Sequence, residues 1–106
     1  MTPEERYAEL VRRAGETGRI WLLEDEAGLV GSADEEGRRY LAIWPDRESA
    51  AACAVGPWKR ARPASMDVRA LLPAIVERDG KLAAHPTPED EGFPVAATDF
   101  EERLAS

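Results

Sequence analysis

The stretch RIWLLEDEAGLVGSADEEGRRYLAIW, residues 19–44, decides how this chain reads. It holds three β-forming runs, 19–25, 28–34 and 38–44, linked through Asp-Glu-Ala-Gly and Asp-Glu-Glu-Gly. Both connectors end in glycine, which reaches the positive φ that short hairpin loops need. The runs therefore predict an antiparallel meander. Its outer strands do not alternate cleanly between apolar and polar. The first sets Ile20 and Leu22 against Trp21 and Leu23; the third sets Tyr40, Ala42 and Trp44 against Leu41 and Ile43. Apolar residues on both faces predict that both faces are covered, by helices on each side or by a second copy of the chain.

Working outward, the preceding segment is a well-marked helix. Thr2 and Glu5 have capping-box spacing, and Pro3 stands at the first helical position, where its missing N–H costs nothing. Tyr7, Leu10, Val11 and Ala14 then build one apolar stripe, and Gly15 or Gly18 ends the helix. After the meander, Trp44-Pro45 closes the third strand and Asp46 caps a second helix, expected to run to about Val55. WKRARPAS, residues 58–65, is a fourth strand, blunted as an edge by its cations and Pro63. A third helix starts near Ser65 or Asp67, with Pro73 expected to kink or divide it. Strands over 81–86 and 93–97 follow, and Thr98 with Glu101 predicts a capped fourth helix. The order α-β-β-β-α-β-α-β-β-α describes an α+β fold in one small domain spanning 1–106, a meander and further short strands with about four helices packed on them.

Composition narrows the function classes. A chain of 106 residues suits one domain, and a single cysteine cannot form an internal disulfide, which fits a reducing, cytoplasmic setting. No run approaches a membrane span, and the charged start lacks the apolar core of a leader. The formal net charge of −7 disfavours nucleic acid as a partner. Abundant alanine, with arginine in excess of lysine, reads as the drift of a GC-rich bacterial genome.

Few residues offer chemistry. Cys53 falls late in the second helix among alanines, where the helix dipole opposes a thiolate, so it reads as a small buried side chain. His85, the one histidine, could pair with it only if the fifth strand ran beside that helix. Neither a zinc set, an EF-hand, a nucleophile elbow nor a phosphate-cradling glycine motif is present in the sequence. The acidic triplets 24–26, 34–36 and 89–91 read as solvated turns. Three tryptophans are many for this length; Trp21, Trp44 and Trp58 predict one shared core at the corner of third strand, second helix and fourth strand. Catalytic, cofactor-binding and metal-binding residues are not expected. A surface made by Trp21, Trp44, Trp58, Lys59, Arg60 and Arg62 is the candidate for interaction.

The succession GRIWLLEDEAG, YLAIWPDRESAAACAVGPWK and SMDVRALLPAIVERDGKLAAHP resembles the domain of unknown function 2750 (DUF2750), a bacterial family. The resemblance rests on Trp21, Trp44-Pro45, Trp58-Lys59, Leu72-Pro73 and Asp79-Gly80 and covers nearly the whole chain. The closing GFPVAATDFEERL bears a fainter likeness to the enhanced serine sensitivity protein family. The resemblance implies a small α+β fold and brings no activity, ligand or catalytic residue. The expected function is a non-catalytic protein-interaction module, adaptor or homodimer, without cofactor. A toxin-neutralising immunity protein and a small cysteine-dependent enzyme using Cys53 and His85 are the alternatives.

Overall fold

The computed structural model describes residues 1–105. Helix α1 spans Pro3–Thr17 and starts with the expected capping box: Glu5 N–H donates to Thr2 Oγ1 at 3.1 Å, and Thr2 N–H donates to Glu5 Oε1 at 2.9 Å. Gly18 ends it in the left-handed conformation, φ 73°. Strand β1 covers Arg19–Asp25 and turns into β2, Gly28–Leu29, with which it pairs antiparallel. Strand β3 is Gly31–Ala33 and pairs antiparallel with β4, Arg39–Ile43.

The run 28–34 thus divides in two. Its first part belongs to a three-stranded sheet, β2-β1-β5, and its second to a four-stranded sheet, β3-β4-β6-β7. Val30 is the crossing point: its N–H donates to Leu23 O in the first sheet and its carbonyl accepts from Ala42 N–H in the second. A bent strand that serves two sheets is how packed sheets turn a corner. Gly31 follows because a Cβ there would stand 2.3 Å from Tyr40 O. A second seam joins the sheets where Trp21 and Trp44 exchange two backbone hydrogen bonds of 2.8 Å.

Helix α2, Arg47–Ala52, is capped by Asp46, whose Oδ1 accepts from Ser49 N–H at 2.7 Å. It stops short of Val55. Cys53 is its C-cap, and residues Gly56–Trp58 form a separate 3-10 turn with Pro57 at its start. Strand β5 consequently begins at Arg62 and runs to Asp67, later than expected, leaving Lys59 and Arg60 outside it. It is an edge strand of its sheet, paired only with β1. Helix α3, Val68–Glu77, carries Pro73 inside one continuous element instead of dividing there. Strand β6, Lys81–Ala84, lies parallel to β4 and antiparallel to β7, Phe93–Ala96. It ends earlier than expected because His85 takes φ 52°, which cannot continue a strand. Helix α4, Ala97–Ala105, starts one residue before its expected cap, so Thr98 lies in its first turn.

Both faces of β1 and β4 are covered, and by different cores. Ile20, Leu22, Ile43 and Leu82 pack with Tyr7 and Leu10 of α1, Leu72 of α3 and Phe100 of α4. Leu23, Ala42 and Trp44, on the other faces, pack with Ala50, Cys53 and Ala61, with Trp21 and Trp58 against them. No helix among the described residues is long and apolar enough to cross a membrane.

Candidate functional site

The corner around Trp44 is built from small side chains about one large ring. Ala42, Ala50 and Ala61 leave the volume that the indole fills, and Trp44 is fully buried. A buried indole N–H needs an acceptor. The left-handed turn at His85 supplies one: Trp44 Nε1 donates to Pro86 O at 2.9 Å. The Cys53 thiol donates to the same oxygen at 3.2 Å. One backbone carbonyl therefore ties β4 and the end of α2 to the segment after β6.

That segment is held from a second side. Arg6 of α1, nine-tenths buried, donates through Nε to His85 O at 3.1 Å and pairs with the Asp90 carboxylate. Thr87 and Asp90 exchange backbone hydrogen bonds of 2.9 and 3.1 Å, which close the turn. The acidic loop is thus a positioned wall and not only a solvated turn.

A groove of about 610 Å³ opens between this wall, Pro86–Glu91, and the rim formed by Cys53, Val55, Gly56, Pro57 and Trp58. Gly31 and Ser32 also line it. Ser32 and Glu91 also line a neighbouring cleft of about 180 Å³ that reaches Asp34, Tyr40, Ala83 and Pro94. By register, Ser32, Tyr40, Ala83 and Pro94 share one face of the four-stranded sheet, opposite the face that carries Ile43 and Leu82. Lys81 shares that face through its pairing with Tyr40, and Trp44 packs with Ala42 and Ala50 toward its other end. Among the described residues, the charged groups that line the two openings are Asp34, Glu89, Asp90 and Glu91, with no lysine, arginine or histidine. Arg38 engages Asp34 at 2.9 Å and Arg6 engages Asp90, while Glu89 and Glu91 are exposed.

The indoles gather as the sequence predicts: Trp44 and Trp58 meet edge to face, ring centres 6.2 Å apart, and Trp21 packs on the same cluster. Trp58 lines the groove, whereas Trp44 offers no surface to a partner. Lys59 and Arg60 stand beyond the Gly56–Pro57 ridge, in a cleft shared with Asp25 and Glu26, and Arg62 is exposed at the start of β5. The cations are therefore separated from the groove that holds Trp58.

Cys53 and His85 do not form a pair. The thiol donates to Pro86 O, and the buried His85 Nδ1 has no hydrogen-bond partner. Burial pushes the thiol pKa up; the Trp44 indole N–H opposes this and the Glu89 carboxylate adds to it. A thiolate is disfavoured in such a place. Burial also pushes His85 below its usual value, with the nearby Arg6 guanidinium in the same direction and Asp46 against it. Among the described residues, no group of three or more histidine, cysteine or carboxylate side chains could hold a metal ion. The Cys53 thiol is therefore not poised as a nucleophile.

The bounds of this fold coincide with those of a known family. Residues 7–104 match DUF2750, described as a protein of unknown function, and the chain belongs to that family. No curated protein and no solved structure matches it.

Proposed function

We propose that this chain is a non-catalytic protein-interaction module, acting as an adaptor or through self-association, and that it engages its partner at the groove between the Val55–Trp58 rim and the Pro86–Glu91 wall. The observation that carries this reading is the groove itself, which sets exposed apolar surface beside fixed acidic loop. Val55 is 52% exposed, a rare state for a large apolar side chain in this molecule, and it stands on the rim. Apolar surface held next to a polar wall is the anatomy of a recognition site. The buried, hydrogen-bonded thiol supports the same reading over cysteine chemistry. The acidic lining also suits toxin neutralisation, a special case in which the partner carries a basic active site.

The test is a selection of displayed random peptides against the immobilised chain, followed by titration of the recovered sequences against Val55→Ser, which removes the apolar surface without adding charge. Val55 is exposed, so the variant is expected to fold. Recovered peptides should bind the unaltered chain and lose about tenfold or more on the variant. A selection that yields no peptide, or only peptides indifferent to Val55, removes the reading.

A further inference from the structure

We infer that the groove takes an extended, lysine- or arginine-bearing segment of another protein, with an apolar side chain seated against Val55 and Trp58 and its cations over Glu89 and Glu91. This rests on the interaction-module reading and adds the partner's chemistry.

Charge carries the inference first. Among the described residues, the groove and the neighbouring cleft are lined by four carboxylates, Asp34, Glu89, Asp90 and Glu91, and by no cationic side chain. Two of the four are already neutralised within the chain, Asp34 by Arg38 and Asp90 by Arg6. Glu89 and Glu91 enter no ion pair among the described residues. They stand on or beside a turn whose start is anchored by Arg6, Trp44 and Cys53 through the His85 and Pro86 carbonyls. The net charge of −7 steers a cationic segment toward the molecule and repels nucleic acid. A second copy would bring the same −7 to an already acidic surface.

Shape carries it next. Ser32 of β3 lines both openings, so this strand borders the groove and the neighbouring cleft. Strand β3 is an edge of its sheet, paired on one side only. An edge strand offers backbone donors and acceptors to an extended chain, while neighbouring pockets read its side chains.

The probes are short fluorescein-labelled peptides with a central leucine flanked by lysine and serine, and counterparts with glutamine or glutamate at every lysine. Anisotropy should show the lysine peptide binding, the glutamine peptide about tenfold weaker, and the glutamate peptide not at all. The double variant Glu89→Gln/Glu91→Gln should lose about tenfold for the lysine peptide. Glu77→Gln/Glu101→Gln removes the same net charge from exposed sites away from the groove and should change binding less than about twofold. All four positions are exposed, so thermal melts should coincide with that of the unaltered chain. Equal binding of lysine and glutamine peptides overturns the inference, as does an equal loss in both double variants. Peptides recovered by display that prefer acidic or neutral sequences overturn it while leaving the interaction module standing. A dimer in light scattering that dissociates in the Glu89/Glu91 variant also overturns it, by giving the groove to a second copy. Failure of every probe together with an empty display selection removes both readings.

Discussion

The two cores of this molecule are built on opposite plans. The larger one, between the sheets and α1, α3 and α4, spreads its contacts over many side chains of similar size, among them Leu10, Ile20, Ile43, Leu72, Leu82 and Phe100. The smaller one concentrates on a single ring, Trp44, lodged among alanines and fastened through its indole N–H to Pro86 O. In the first plan each side chain depends on close packing with several others. The second plan sets its ring beside the groove of about 610 Å³ that Cys53 and Trp58 line.

The sharpest way to break this comparison is to remove comparable rings from the two sides. Phe100→Ala, in the large core, should cost about 3–5 kcal/mol, measured by urea unfolding, and should unsettle the whole molecule. Trp44→Phe should cost less, about 1–3 kcal/mol, since a ring remains and the loss is the hydrogen bond to Pro86 O. Its effect should be local: amide exchange should quicken in the segment 86–91 more than in α3 or α4. Uniform quickening would show that the corner is not a separate unit.

The smallest effect is one of pH. The folded pKa of His85 lies below its usual value, so the unfolded chain binds that proton more readily. Its contribution to stability is therefore complete above about pH 6.5 and declines as the pH falls through that value toward the folded pKa. Urea midpoints taken between about pH 8 and pH 5 should fall on the acid side, and His85→Asn, which tolerates the left-handed backbone, should flatten that part of the decline. An unchanged profile in the variant would assign the decline to carboxylates elsewhere.

Local signals made much of the fold legible. The Thr2–Glu5 box, the Asp46 cap and the bounds of β1 stand in the structure where the residues place them. The two-faced pattern of β1 and of 38–44 correctly required cover on both sides. The division of 28–34 was hidden, because it depends on Gly31 approaching Tyr40 O, a contact made only after β3 and β4 have paired. The late start of β5 has a similar origin, since Pro57 favours the 3-10 turn that displaces Trp58 and Lys59 from the strand. The tryptophan corner was readable from aromatic content, but not its carbonyl anchor, which any residue before Thr87 could have supplied. The groove was least readable of all. Its acidic wall looks in sequence like an ordinary solvated turn, and only the parallel pairing of β4 with β6 brings it opposite Val55–Trp58.

That parallel pairing has a kinetic consequence. The hairpins β1–β2 and β3–β4 close over a few residues each, but β6 can join β4 only after α2, β5 and α3 have completed the crossover. Long crossovers close slowly, since loop entropy must be overcome before their contacts form. The rim and the wall come from opposite ends of that crossover. The groove thus takes shape only when that crossover closes, and a partly assembled chain has the rim without the wall.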